Sequence, residues 1–225
     1  MPITTVIFDA YGTLFDIAAA ARRVAAEGSF PALKDLWQDL ASDWRNKQLE
    51  YSWLRAVTGD HTDFWQVTQD ALDWTMERHG LSDPALRDEL LDLYRQLDAY
   101  PDARSCLEAL RTQGIGIGIL SNGSPAMIAT ACDAGGLNGL IDKILSVETV
   151  GVFKPSPKVY NLVETKFSVS RDSVLFASSN GWDASCAAAY GFVSVWVNRN
   201  GLPLDRLPGR PAHILKDLAD VPNLI

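Results

Sequence analysis

Asp9 ends an apolar, β-branched run, Thr4-Thr5-Val6-Ile7-Phe8, at a point where a soluble core does not normally place a carboxylate. The run reads as a buried strand, and Gly12 lets the backbone turn sharply just after it. An acid at the carboxyl end of a first parallel strand sits where open α/β sheets bind their ligands, although the same acid could simply cap the following turn. A buried carboxylate needs a nearby cation or several donors to stay ionised. Lys154 is the candidate cation: its setting, Gly151-Val152-Phe153-Lys154-Pro155, has an apolar approach and a rigid proline unlike those of an ordinary solvated loop lysine. Ser121-Asn122-Gly123 follows another apolar strand and precedes a helix with Pro125 near its start. Its hydroxyl, amide and backbone N–H groups can bind a carboxylate ligand, or only cap the helix. Ser178-Ser179-Asn180-Gly181-Trp182-Asp183 repeats the arrangement, with Asp183 either a working acid or a first-turn acid that stabilises the helix dipole.

The elements that must position these groups follow from periodicity. From Pro101 the chain alternates helix and strand: helix 102–112, strand 115–120, helix 125–134, strand 143–147, helix 157–167, strand 173–177, helix 182–190 and strand 193–197. This is the pattern of an α/β fold with a doubly wound (Rossmann-like) parallel sheet. All strands of such a sheet point one way, so Asp9, Ser121-Asn122, the Lys154 loop and Ser178–Asn180 gather at one edge. Residues 17–98 carry helical patterns and no strand signal: 17–27, 33–57, 64–79, and 83 to about 97, the last opened by the Asp83-Pro84 cap. They read as a helical cap domain inserted after the first strand, leaving 1–16 and 99–225 as the core domain.

The 225 residues are 47% hydrophobic and 21% charged, which suits a chain able to bury a full core. A net charge of -8 argues against extended nucleic-acid binding, which needs clustered Lys and Arg. Cys106, Cys132 and Cys186 form no CxxC pair and leave an odd count, the mark of reduced thiols without a zinc site. Met1 leads directly into the first strand, with no signal-like segment and no stretch long enough to span a bilayer. The expected compartment is the cytoplasm.

Asp9-Ala10-Tyr11-Gly12-Thr13 resembles the nucleophile motif of the haloacid dehalogenase superfamily, which reads Asp-x-Asp-x-Thr in the phosphatase branch. Here Tyr11 replaces the second acid, and the Asp-x-Tyr-Gly-Thr form is similar to that of the L-2-haloacid dehalogenase family. In the phosphatases that acid protonates the leaving oxygen; a halide leaves as a stable anion and needs no proton. Ser121-Asn122-Gly123, Lys154-Pro155 and Asp183 follow in the superfamily's order. Trp44-Arg45-Asn46-Lys47-Gln48-Leu49-Glu50-Tyr51 resembles the dehalogenases' cap helix, with Asn46 where related enzymes often have glutamine. Ser178 stands where a magnesium-dependent phosphatase would carry an acidic ligand, and with Tyr11 also non-acidic too few carboxylates remain for Mg²⁺. The resemblance therefore implies neither metal nor cofactor.

It also implies roles. Asp9 is the nucleophile, with Thr13 in its motif; Lys154 orients it; Ser178 and Asn180 hold it; Asp183 positions or activates water. Tyr160 hydrogen-bonds near the lysine. Ser121 holds the substrate carboxylate, and Asn122 helps cradle the leaving halide. Arg45, which by helical context alone is a solvated surface group, receives the halide with fixed positive charge and several N–H donors. Ala10, Tyr11, Leu49, Phe64 and Trp182 belong to the substrate pocket, although Phe64 also reads as ordinary core. His61, His79 and His213 fall outside every motif. The implied activity is hydrolytic dehalogenation of short L-2-haloalkanoic acids to D-2-hydroxy acids through an aspartyl ester, with inversion at C2. The implied partners are the haloacid, the halide and a second copy in a homodimer built on the aromatic-rich cap. The rivals are a phosphatase or phosphomutase on the same fold, opposed by Tyr11 and Ser178, and a binding protein, opposed by the intact Asp9, Lys154 and Asp183.

Overall fold

The computed structural model describes residues 2–225; Met1, read above as leading into the first strand, lies outside them. The described residues form an α/β fold with one six-stranded sheet: β1 (Thr5–Phe8), β2 (Gly116–Ser121), β3 (Lys143–Ser146), β4 (Val174–Ser178), β5 (Val193–Val197) and β6 (His213–Leu215). Every pairing is parallel and the order is β3-β2-β1-β4-β5-β6, the doubly wound arrangement. β1 is central and wholly buried, as its unbroken apolar run requires. Phe8 pairs with Ile119 on one side and Ala177 on the other, so Asp9, Ser121-Asn122 and Ser178–Asn180 emerge together at one edge.

The connecting helices of the sheet are α5 (Ala103–Thr112), α6 (Pro125–Ala134), α7 (Pro157–Phe167) and α8 (Gly181–Tyr190). Between β1 and α5 lie α1 (Ala19–Glu27), α2 (Trp37–Thr58), α3 (Phe64–Arg78) and α4 (Pro84–Arg95), with no strand among them. The chain leaves and re-enters the sheet region at adjacent points. Asp16 N donates to Asp98 O at 2.8 Å, and Tyr100 N donates to Leu14 O at 2.8 Å.

Several ends differ from the periodicity. The second helix starts at Trp37 and not at Leu33, because Pro31–Leu33 close a 3-10 turn first. β2 and β4 run one residue further than their apolar runs, taking in Ser121 and Ser178; backbone pairing with Ser146 and Trp196 needs no apolar side chain. β3 stops at Ser146, whose hydroxyl accepts from Glu148 N at 3.2 Å and starts a 3-10 turn. β6 carries no signal of its own. It is three residues long, lies at an edge and exists through its pairing with β5.

Two features join the helices of 17–98 to the sheet. His61 Nε2 lies 3.0 Å from Glu148 Oε2, and the same carboxylate accepts from Phe64 N at 3.3 Å, so the acid after β3 caps the start of α3. Tyr11 stacks on Tyr94 of α4, with centroids 5.8 Å apart, and lies 6.1 Å from Phe64 of α3. Gly12 supplies the turn that follows Asp9, at φ 89°. Gly123 supplies room: a β-carbon there would lie 2.7 Å from Tyr11 Cε2 and 3.2 Å from its hydroxyl oxygen.

Gly123→Ala is expected to cost about 1–3 kcal/mol by overpacking, since Tyr11 is held by Tyr94 and cannot retreat. Chemical denaturation should show the loss, and a double-mutant cycle with Tyr11→Ala should abolish most of it. Additive losses would mean that the two residues do not share this contact.

Candidate active site

Lys154 is 1% exposed and sits between two carboxylates. Its Nζ donates to Asp9 Oδ1 at 3.1 Å and to Asp183 Oδ2 at 2.9 Å. The ring of Phe176 in β4 lies beneath it, 5.1 Å from Nζ to centroid. Burial alone would push the ammonium toward losing its proton, but the two carboxylates outweigh that and raise its pKa. Burial is the largest influence on Asp183 and raises its pKa, with Lys154 pulling the other way. Tyr160 Oη donates to Asp183 Oδ1 at 2.7 Å. Its own pKa is raised, by burial first and then by Asp183, so it remains a phenol and a donor.

The second oxygen of Asp9 is held separately. Oδ2 accepts from Thr13 Oγ1 at 3.0 Å and from Asn180 Nδ2 at 3.0 Å. Thr13 Oγ1 also accepts from Ser179 N at 2.8 Å, which fixes the direction of its hydroxyl. The loop after β2 holds Lys154 in turn: the Lys154 amide donates to Asn122 Oδ1 at 2.9 Å. Thus the loops after β1, β2, β3 and β4 all contribute to fixing one carboxylate.

A small cavity adjoins Asp9, lined also by Tyr11, Arg45, Leu49, Phe64, Ser121, Asn122, Lys154, Asn180 and Trp182. Arg45, Leu49, Asn180 and Trp182 also border a larger cavity of about 650 Å³, which lies between the start of α2 and the loops after β1, β4 and β5. Arg45 is therefore positioned at the boundary of the two. It donates to Gln48 Oε1 at 2.8 Å, Asn180 Oδ1 at 3.2 Å and Tyr11 O at 3.4 Å. Ser121 Oγ accepts from Gly123 N at 3.0 Å, which leaves its hydroxyl proton available to an anion in the cavity.

The structure brings together Asp9, Thr13, Lys154, Tyr160, Asn180 and Asp183 in one hydrogen-bonded set, and Tyr11, Arg45, Leu49, Phe64, Ser121, Asn122 and Trp182 around one cavity. Ser178 and Ala10 stand apart from both groups. Ser178 Oγ accepts from Asn180 N at 3.2 Å instead of binding Asp9, so its hold on Asp9 passes through Asn180. Ala10 is fully buried beneath the turn, where its carbonyl accepts from Leu14 N and Phe15 N, and it does not line the cavity. Asn122 has a part that its motif did not announce, as the acceptor for the Lys154 amide. Phe64 is both wall and core, at 1% exposure. Sequence reading missed Ser179, Gln48 and Tyr94. Gln48 left one signal: Leu40, Trp44, Gln48 and Ser52 form the buried stripe of α2, and two polar residues interrupt it.

A doubly wound sheet with a lysine-braced carboxylate after its first strand defines a haloacid dehalogenase-like hydrolase, and the family model of that description matches residues 3–191. The (S)-2-haloacid dehalogenase 1 of Pseudomonas sp. (strain CBS-3) is 40% identical over 225 residues, spanning 100% of this chain and 97% of that protein. The (S)-2-haloacid dehalogenase of Pseudomonas putida is 38% identical over 222 residues, spanning 98% and 96%. Among solved structures, the L-2-haloacid dehalogenase from Xanthobacter autotrophicus with chloropropionic acid covalently bound superposes with a TM-score of 0.87 at 34% identity, covering 99% of this chain and 98% of that one. The chain belongs to the L-2-haloacid dehalogenase family.

Replacing Lys154 by Met leaves two buried carboxylates without their cation and is expected to cost about 3–5 kcal/mol at neutral pH. The pH dependence has a definite sign. Without the ammonium the folded-state pKa of Asp183 rises further above its unfolded value. The variant's stability is then fullest below the ordinary aspartate range and is lost as pH rises through the folded-state pKa. The gap to the parent protein in denaturant midpoint should therefore narrow on acidification. A gap that widens toward acid would show that the lysine is not balancing these carboxylates.

Proposed function

We propose that this protein is an (S)-2-haloacid dehalogenase in which Asp9 is the nucleophile and Arg45 receives the halide. The observation that carries the reading is one cavity bounded on one side by a carboxylate with three donors and on another by a guanidinium whose acceptors are all neutral. A displacement at C2 needs negative charge at the attacking atom and positive charge where the leaving atom departs. Oδ2 of Asp9 is engaged by Thr13 and Asn180, so Oδ1, with one donor, attacks C2 of the L-2-haloalkanoate from the side opposite the halogen. The carbon–halogen bond breaks, its electron pair leaves with the halide toward Arg45, and an aspartyl ester with inverted C2 remains.

Ser121 holds the substrate carboxylate through its free hydroxyl proton, and Asn122 supports the Lys154 loop beside the leaving group. Asp183, made more basic by burial, takes a proton from water as that water attacks the ester carbonyl of Asp9. The bond between that carbonyl carbon and Oδ1 breaks, the proton passes to the departing alkoxide, and a D-2-hydroxy acid is released. Lys154 and Tyr160 keep Asp183 in place throughout. Tyr11 and Ser178, non-acidic where a magnesium-dependent phosphatase carries carboxylates, support a metal-independent reaction and weigh against the phosphatase reading.

Residues 17–98 act as a cap over the sheet edge and contribute Arg45, Leu49 and Phe64 to the cavity. The exposed apolar residues Trp53, Leu54 and Val57 at the C-terminal half of α2 support a homodimer formed through the cap. Among the described residues no helix is long and apolar enough to cross a membrane, and the proposed compartment is the cytoplasm.

A single turnover in ¹⁸O-water with enzyme in excess tests the nucleophile. The expected result is unlabelled hydroxy acid and one label on Asp9, because solvent oxygen enters only at the ester carbonyl. Label in the product on the first turnover would instead make Asp9 or Asp183 a general base for direct attack of water on C2. Halide release from the L enantiomer of 2-chloropropionate should also be unaffected by EDTA. A strict Mg²⁺ requirement accompanied by turnover of phosphate esters would move the assignment to the phosphatase branch.

A further inference from the structure

Gln48 carries no motif role, yet its side chain is 1% exposed and has a partner on every side. Its Nε2 donates to Thr68 Oγ1 at 2.7 Å and to Tyr94 Oη at 3.1 Å. Its Oε1 accepts from Arg45 at 2.8 Å and from Tyr94 Oη at 3.3 Å. The orientation of the amide is determined from both ends. Thr68 spends its one hydroxyl proton on Phe64 O at 2.7 Å, so toward Gln48 it can only accept, and the NH₂ must face it. That turns the carbonyl oxygen toward Arg45, which is a donor only. Thr68 and Tyr94 are themselves buried, at 0% and 4% exposure, on α3 and α4. Three helices thus fix the acceptor that Arg45 points from.

The charge of that acceptor matters as much as its place. Arg22, Arg23, Arg55, Arg78, Arg87, Arg95, Arg104, Arg111, Arg171 and Arg199 all meet carboxylates. Arg45 meets none among the described residues; its partners are the amides of Gln48 and Asn180 and the carbonyl of Tyr11. A glutamate in place of Gln48 would still accept from the guanidinium, but it would cancel much of that charge and set a second acceptor against Thr68. An aliphatic residue would leave the charge and lose the aim.

We infer that Gln48 is a positioning residue for halide departure: its amide, oriented by Thr68 and Tyr94, aims Arg45 into the cavity while leaving its positive charge unpaired for the leaving atom. The inference rests on the assignment of Arg45 as halide acceptor. It assigns Gln48 to the first chemical step, since Gln48, Thr68 and Tyr94 make no hydrogen bond with Asp183, Lys154 or Tyr160, which serve ester hydrolysis.

The experiment is single-turnover kinetics on the full chain with L-2-chloropropionate, measuring halide release and hydroxy-acid release separately in Gln48→Met, Gln48→Glu and Arg45→Ala. Misplacement of a charge-stabilising group by about 1 Å costs on the order of 10²-fold. Gln48→Met, which keeps the volume, is expected to slow halide release by about that factor while the decay of the accumulated ester keeps its parental rate. Gln48→Glu, which keeps the hydrogen bond to Arg45, should slow the same step and weaken inhibition by added bromide. A purely structural disturbance would slow both steps of Gln48→Glu alike and leave bromide inhibition unchanged; that result, or halide release at the parental rate, would overturn the inference. Equal slowing of both steps in folded Gln48→Met would overturn it too. If Arg45→Ala releases halide at the parental rate, the assignment of Arg45 itself falls. If Arg45→Ala is slow and Gln48→Met is not, only the role of Gln48 falls.

Discussion

The buried ammonium of Lys154 is the constraint on which the site depends. An isolated charge at that depth would cost several kcal/mol, and only close pairing with hydrogen-bonded partners makes the position tenable. Asp9 and Asp183 supply that pairing from the ends of β1 and the start of α8, and Phe176 supplies a ring face below. The dependence runs in both directions. Without the lysine the two acids would repel each other in a dry setting; without the acids, burial would push the lysine toward losing its proton. One cation thereby keeps two carboxylates near each other with different prospects. Asp9 borders the cavity, whereas Asp183 lies on the far side of Lys154 at 0% exposure.

The packing of the sheet delivers these groups because their loops begin at adjacent registers. Phe8 lies between Ile119 and Ala177, so the residues next in each chain segment cannot avoid one another. Backbone polar groups at the ends of parallel strands also lack ladder partners, and here side chains satisfy them. Ser121 and Ser178 accept from the amides two residues on, and Thr13 accepts from Ser179 N. The same hydrogen bonds that finish the strands therefore orient the hydroxyls and amides around Asp9.

Opposite Asp9, the helices of 17–98 solve a different electrostatic problem. A cation that is to receive an anion must be fixed in place without being neutralised. The aromatic cluster of Tyr11, Trp44, Phe64 and Tyr94 excludes water around α2, with Trp44 and Tyr94 centroids 4.9 Å apart. Within it, amide and carbonyl oxygens hold Arg45 by hydrogen bonds that leave its net charge intact. The burial of Tyr11 raises its phenol pKa, so this wall of the cavity stays neutral as well.

By itself the sequence determined the architecture and the reactive inventory. An unbroken β-branched, apolar run ending in an acid reads as an interior strand with a carboxylate at its end, and helix–strand alternation after Pro101 points to a parallel sheet. Asp9 and Ser121 were legible because each ends an apolar run at a strand end, Lys154 because of its apolar, proline-bounded loop, and Asp183 because it follows the polar break after β4. Pairing and side-chain direction were not legible, because they depend on neighbours distant in sequence. β6 exists through β5; α2 begins where Pro31–Leu33 let it; Ser178 turned out to serve Asn180, and Ala10 to lie beneath the turn. Gln48 showed only as a polar break in a buried stripe. Its meaning required Thr68 and Tyr94, which α3 and α4 bring to it across 20 and 46 residues of chain. Hydrogen-bond direction is a property of the closed network, and only the tertiary structure closes it.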